Sequence, residues 1–479
     1  MNFKRILHIL GIVLCFEAVI MILPLICAVV YEEPEVFDFI KSIVLCLIVG
    51  IPLYLLKPKN KNIYSKEGFV IVALSWITMS IFGALPFIIS GAIPNFFHAF
   101  FETASGFTTT GASILSDVEV LPKSIIFWRS FTHWIGGMGV LVFLVALLPL
   151  SGGSNLYLMK AESTGPSVSK LVPKVKSSAK ILYGIYFVLS LILLVLLLLG
   201  GMNFFDAINH TFGTAGTGGF GIKNSSLAGY SPYIQAVITV FMALFGIDFS
   251  VYYLLILKKF KLLLHSDEVK TYIGIILIST LIICINCINL FENVWAALRH
   301  SAFQVSSIIT TTGFSTTDFD KWPELSKTIL VLLMFIGACA GSTGGGIKVS
   351  RILIYLKSIA KEITIAAHPK LTKKIQMSGR VIEHDTIRNV NVFMAAYLVV
   401  FVISVLLISI DNLDFTTNFT AVAATLNNIG PGLGRVGPTS NFSVYSDFSL
   451  LILTIDMLIG RLEVFPILVF LSPHIWKKS

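Results

Sequence analysis

The sequence predicts an all-α polytopic membrane protein built on an internal fourfold repeat, with two further helices at its N-terminus. Three observations carry that reading. Of 479 residues, 55% are hydrophobic and only 13% are charged, against about 25% charged in an average soluble domain. The mean hydropathy of +0.86 over the whole length excludes a solvated surface, and with it a soluble enzyme or a disordered chain. Finally, four Thr-, Asn- and Gly-rich strips recur between apolar segments.

A helical span needs about 20 apolar residues. Such segments fall near 6–30, 36–56, 68–90, 124–149, 180–201, 233–257, 271–291, 327–356, 389–410 and 445–472. The first follows Lys4 and Arg5, but is too long for a signal-peptide core and is read as a retained span. With the N-terminus inside, 26 of the 35 Lys and Arg residues fall on inside segments, as the positive-inside rule requires. Opposite connections carry Glu32, Glu33, Glu35, Asp117, Glu119, Asp318, Asp320, Glu324, Asp411 and Asp414. The net charge of +9 is therefore a topology signal and excludes nucleic-acid binding. The cysteines at 15, 27, 46, 284, 287 and 339 lie in apolar stretches. They read as small packing residues, not as a disulfide framework or a metal site.

Each of four outer connections begins with a short semi-apolar segment and ends in a strip. They read NFFHAFFETASGFTTTGAS at 95–113, NFFDAINHTFGTAGTGGFG at 203–221, FQVSSIITTTGFSTTD at 303–318 and FTTNFTAVAATLNNIGPGLG at 415–434. In the first and second, Gly111 and Gly219 each stand sixteen residues after the Asn of NFF. The first and third share Phe101 with Phe303, Ser105 with Ser307 and Ser113 with Ser315. The glycines at 111, 219, 313 and 430 define a repeat spaced 108, 94 and 117 residues apart.

A strip this polar cannot face lipid. Irregular backbone at membrane depth is tolerated only where protein buries it or it lines a cavity. Four strips can meet around one axis, and glycine permits conformations that turn carbonyls inward. Carbonyl oxygens replace the water of a monovalent cation without holding it too tightly. The half-helix before each strip points its negative dipole end at the same place. A divalent-cation site would call for a ring of Asp or Glu, and none lies in the core strips.

On SGFTTTGAS, HTFGTAGTGGFG, ITTTGFSTTD, NNIGPGLG, GSTGGGIK at 341–348 and GRLEVFP at 460–466, the chain resembles the Trk/Ktr/HKT superfamily of potassium transporters over essentially its whole length. Within it, the two extra N-terminal spans favour the TrkH-type membrane subunit. The resemblance implies four helix–pore-loop–helix units around a pseudo-fourfold pore. It places a two-helix region at 1–66 and pore units at 67–150, 151–262, 263–375 and 376–479. It places potassium ligands on Thr109, Thr110 and Gly111; Thr217, Gly218 and Gly219; Thr311, Thr312 and Gly313; and Asn428, Ile429 and Gly430. The second and fourth strips depart from TTTG, so the pore should be only pseudosymmetric. The resemblance further implies K⁺ as the transported ion, with Rb⁺ and Na⁺ as other candidates, and no covalent cofactor. It implies a homodimer in the cytoplasmic (inner) membrane of a prokaryote, with both termini cytosolic. A cytosolic TrkA-type subunit binding NAD or ATP/ADP is the implied regulator, and the basic loops at 150–180 and 348–388 are candidate docking surfaces for it.

Two features point to gating. Gly341, Gly344, Gly345 and Gly346 precede Lys348 inside the eighth span. A continuous helix would lose about 1 kcal/mol at each glycine, so it should break here, either as a packing kink or, as the resemblance implies, as an intramembrane loop that gates the pore. Ile347 separates the run from Lys348, so the phosphate-loop pattern is missing. Arg461 lies in the last span. An Arg at membrane depth costs about 2.5–3.5 kcal/mol on insertion scales and must face protein or water. Asp456 and Glu463 offer a purely structural pairing. The resemblance instead projects Arg461 into the pore as a barrier to cations.

Channel-like potassium uptake is the first functional reading, and a potassium symporter with obligatory H⁺ or Na⁺ coupling is the alternative. Glu17 and Asp248 are intramembrane acids without an assigned role. His133 and His210 read as packing residues. No nucleophile, zinc or phosphate-binding pattern supports an enzyme.

Overall fold

The breaks in the helices, as much as the helices, set the architecture. A computed structural model of the chain describes residues 1–56, 58, 65–139, 175–259, 265–370 and 374–473. The chain starts with α1 (Phe3–Ile20), α2 (Ile22–Val30) and α3 (Val36–Leu55). Then come α4 (Ser65–Phe82), α5 (Leu85–Ile89), α6 (Phe96–Phe107) and α7 (Lys123–Gly137). Next are α8 (Val175–Leu199), α9 (Phe204–Ala215), α10 (Pro232–Phe245) and α11 (Phe249–Ile256). These are followed by α12 (Asp267–Cys287), α13 (Val294–Ile309), α14 (Glu324–Phe335) and α15 (Val349–Ala367). A hairpin of β1 (Gln376–Met377) and β2 (Arg380–Val381) leads to α16 (His384–Ile408), α17 (Phe415–Leu426), α18 (Asp447–Arg461) and α19 (Phe465–Leu471).

Among the described residues, six helices are long and apolar enough to cross a membrane, with Phe3–Val30 counted as one. The expected span at 233–257 is α10 and α11 bent by 92°. Hydropathy misses that bend because Asp248, inside the apolar run, caps α11 by accepting from the Ser250 amide at 2.9 Å. The expected span at 327–356 is split into α14 and α15 by irregular backbone. The one at 445–472 breaks at Val464, whose φ is +68°, just before Pro466. The span at 124–149 is helical to Gly137, and its remainder from 140 lies outside the described residues. So does most of the 150–180 loop.

The four short helices α6, α9, α13 and α17 begin on Asn95, Asn203, Asn293 and Asp414, whose side chains accept from amides of the first turn. Such caps replace the missing helical partners of those amides. Each short helix packs on the long helix before it: α4, α8, α12 and α16 respectively. Each helix after a strip crosses to the next unit. Thus α7 packs on α9, α10 on α13, α14 on α17, and α18 returns to α6. The circuit closes. The long helices α8, α12 and α16 each have only 28% of their apolar window buried, whereas the α4 span is 61% buried. α1 and α19 pack against α4.

Candidate functional site

Each short helix ends in the same backbone motif. Thr109, Thr217, Thr311 and Asn428 are left-handed, at φ +56°, +53°, +59° and +57°. The next residue, Thr110, Gly218, Thr312 or Ile429, donates its amide back to Ser105, Gly213, Ser307 or Ala424 at 2.8–2.9 Å. This is the Schellman closure of a helix C-terminus, in which glycine is the usual left-handed residue. A threonine there costs about 1–2 kcal/mol, so its side chain should be in use. Thr109 Oγ1 accepts from Arg461 at 3.4 Å, and Thr311 Oγ1 accepts from the Gly345 amide at 2.6 Å. Asn428 Nδ2 donates to Thr110 Oγ1 at 2.9 Å and to Met457 O at 2.8 Å. Thr217 Oγ1 turns back to Gly216 O at 2.6 Å.

Two residues on stand Gly111, Gly219, Gly313 and Gly430, all with positive φ. A Cβ on Gly111 would overlap the carbonyl oxygen of Gly218. One on Gly219 would overlap Thr312 O, one on Gly313 would overlap Ile429 O, and one on Gly430 would lie 2.8 Å from Thr110 O. The four strips thus meet in cyclic order, each glycine against the carbonyl that precedes the next glycine. On one side lies a polar cavity of about 150 Å³, lined by all four glycines. At its rim Asn224 donates to Asp117 at 2.7 Å. That bond, with the amide of Glu119, holds the Asp117 carboxyl below its ordinary range.

On the helix-end side of the four glycines, residues 336–348 pack against the third and fourth strips. Gly337 N donates to Ile347 O at 2.7 Å, drawing the ends of the loop together. Gly341 and Gly346 have φ of +77° and +67°. A Cβ on Gly344 would lie 3.0 Å from Thr310 O, and one on Gly345 would lie 2.5 Å from Asn427 O. Glycine therefore allows the loop to press against the third and fourth strips. Lys348 is 1% exposed, and its Nζ donates to the carbonyls of Gly344 and Gly345, the latter at 3.1 Å. Arg461 reaches the carbonyls of Gly137 at 2.7 Å, Gly136, and Thr343 at 2.9 Å. It thus joins the loop to the end of α7 and to the first strip. The structural pairing offered by the sequence is not the arrangement seen: Glu463 binds Arg351, and Asp456 accepts from Ser404 at 2.7 Å.

Several residues of the site escaped the sequence reading. Glu268, in the first turn of α12, accepts from the amides of Ala340 at 2.7 Å and Ser350 at 3.1 Å, holding both ends of the loop. Asp248, which the sequence left without a role, packs its carboxylate beside Gly341, whose carbonyl accepts from the Phe249 amide at 3.1 Å. Behind the first strip, fully buried Glu102 accepts from Arg129 at 2.6 Å, Ser113 at 3.0 Å and the Ile114 amide at 3.0 Å. Arg129 also donates to Gly221 O at 2.9 Å and lies over the Phe220 ring. Charges within apolar segments were the available signal. Glu102→Leu strands the Arg129 charge, and loss of one partner of a buried pair costs about 3–5 kcal/mol. Thermal unfolding in detergent is expected to show that drop, and the double change with Arg129→Met is expected to recover most of it. Among the described residues, no cluster of His, Cys, Asp or Glu could hold a metal ion, and all six cysteines are free.

The family model TrkH, described as cation transport protein, matches residues 35–284 and 289–478. The chain is 36% identical to the Trk system potassium uptake protein TrkH of Escherichia coli strain K12 over 488 residues, covering 100% of both. It is 32% identical to the Trk system potassium uptake protein TrkG of the same strain, covering 98% of each. The crystal structure of the potassium transporter TrkH from Vibrio parahaemolyticus superposes with a TM-score of 0.89 at 33% identity, over 100% of both chains.

Proposed function

Because the chain belongs to the TrkH family of cation transport proteins, we propose that it takes up potassium across the cytoplasmic membrane of a prokaryote by channel-like permeation. The observation that carries this reading is the closed circuit of four glycines against four carbonyls, with no carboxylate among them. The ligands are the strip residues 109–111, 217–219, 311–313 and 428–430. The four units are 67–150, 151–262, 263–375 and 376–479, with 1–66 as a flanking two-helix region. Neutral oxygens suit a monovalent ion that must leave as readily as it enters. With both termini cytosolic, the cavity opens outward and Asp117 at its rim stays anionic in mild acid. An inside-negative potential supplies about 2.3 kcal/mol per charge per 100 mV.

The loop at 341–348 is the gate, held shut by Thr311, Glu268, Lys348 and Arg461. A homodimer served by a cytosolic TrkA-type nucleotide-binding subunit would pull on it from α15 and the following hairpin. The test is flux in liposomes with K⁺, Rb⁺, Na⁺ and Li⁺ in turn, with and without that subunit. The expected result is faster K⁺ and Rb⁺ flux than Na⁺ or Li⁺ flux, with a reversal potential set by K⁺ alone. Absence of cation flux with the subunit present would overturn the transport reading. A fixed contribution from H⁺ or Na⁺ would replace permeation with symport.

A further inference from the structure

The second strip lacks a brace that two others share. In the first strip Thr108 and Thr110 join hydroxyls at 2.8 Å, and in the third Thr310 and Thr312 do the same at 2.8 Å. Thr110 and Thr312 are also the residues whose carbonyls meet Gly430 and Gly219 in the ring. In the second strip the equivalent positions are Gly216 and Gly218, and neither can supply a hydroxyl. The space is filled from α7. A Cβ on Gly218 would overlap the imidazole ring of His133, and one on Gly216 would overlap the His133 carbonyl. The two glycines and the histidine are complementary: a threonine pair and this ring cannot occupy the same volume.

His133 does more than fill that space. It is fully buried. Its Nδ1 lies 2.8 Å from the carbonyl of Gly106, and its Nε2 lies 3.2 Å from the amide nitrogen of Phe220. A carbonyl requires a proton on Nδ1, and an amide N–H requires a lone pair on Nε2. Only the neutral Nδ1–H tautomer satisfies both. The ring therefore ties the end of the first short helix to the amide that follows Gly219. One turn earlier on the same helix, Arg129 holds the next carbonyl, that of Gly221.

Resting on the transport reading above, we infer that His133 is a positioning residue for the second strip, setting K⁺ against Na⁺ discrimination where the first and third strips use paired threonines. It touches no ion. It acts through the Phe220 amide, whose position fixes the peptide on the far side of Gly219 and hence the direction of the neighbouring carbonyls.

Two amide side chains separate the two hydrogen bonds. Asn places an N–H near Nδ1 and nothing near Nε2. Gln reaches the Nε2 position with an acceptor oxygen. The full chain, purified and reconstituted in liposomes with its regulatory partner, is assayed for the K⁺/Na⁺ permeability ratio from reversal potentials. His133→Gln is expected to keep the ratio within about twofold of wild type, and His133→Asn to lower it about tenfold, on the scale of one lost buried hydrogen-bond partner. Gly218→Ala supplies a second route that keeps the histidine but displaces its ring. Its methyl pushes the ring off the Phe220 amide and is expected to lower the ratio similarly. Monodisperse elution and the melting temperature identify a variant that has failed to fold, in which case the remaining two decide. Equal ratios in the folded variants and wild type, or a loss confined to His133→Gln, would overturn the assignment. Wild-type vesicles that pass no cation count against transport itself. Wild-type vesicles that prefer K⁺, with variants to match, count against His133 alone.

Discussion

Serine at Gly313 is expected to lower the K⁺/Na⁺ permeability ratio by at least about tenfold, because it moves a carbonyl of the ring proposed to line the permeation path. Two costs combine. Gly313 sits at φ +83°, a conformation that costs an L-residue about 1–2 kcal/mol. Its new Cβ would also overlap Ile429 O, a backbone atom that has no rotamer to escape into. The fourth strip must give way, and the ring with it. Gly91 is the matched control. Its φ of +75° imposes the same backbone strain, yet nothing lies within 4 Å of its Cβ. Gly91→Ser is expected to keep the wild-type ratio. Reversal potentials under bi-ionic K⁺/Na⁺ conditions check both, and a wild-type ratio in Gly313→Ser would remove the ring as the element that discriminates.

Alanine at Arg461 is expected to raise flux at least about tenfold in the absence of any regulatory partner. A like charge within a few ångström of a cation in a protein-lined space costs on the order of 2 kcal/mol or more. The same side chain tethers the loop through Thr343 O at 2.9 Å, so alanine removes both the proposed barrier and a restraint on the proposed gate. Lysine separates them, since it keeps the charge and loses the fork that reaches Gly136, Gly137 and Thr343 together. Arg461→Lys is expected to stay within a few-fold of wild type. Flux equal to that of Arg461→Ala would assign the effect to the tether, and unchanged flux in Arg461→Ala would remove Arg461 from gating.

The parts of this site that were legible in the sequence are those whose chemistry is local. Four runs of hydroxyl residues and glycine between apolar spans have no place in lipid, so each announces irregular buried backbone. The glycines from 341 to 346 break a helix wherever they stand, and the chain is irregular from Ile336 to Lys348. Arg461 declared itself by its cost. Its partners did not. Asp456 is five residues back along the same helix, about 140° around it, and faces Ser404 on α16. Glu463 lies beyond the last turn of α18, where the chain reverses and presents it to Arg351. Arg461 instead reaches carbonyls bared by two glycines at the end of α7, 324 and 325 residues away in the chain. Glu268 reads as one more acid at a helix start, and its hold on Ala340 and Ser350 exists only once α12 lies beside the loop.

Composition, hydropathy and repeat spacing thus determined that this chain is a multi-pass helical membrane protein with four strips of one kind. Those properties follow from the cost of polar backbone in lipid, which each segment meets on its own. The tertiary structure alone decided the cyclic order of the strips, the left-handed turn that puts threonine where glycine is usual, and the use of those threonines to hold the loop and Arg461. It also decided that a histidine from α7 stands behind the second strip. Apart from the turn itself and the Thr311–Gly345 bond, which spans 34 residues, these are contacts between segments about 80 or more residues apart. Their geometry is set by which helix packs on which short helix, and no local pattern of residues encodes that choice.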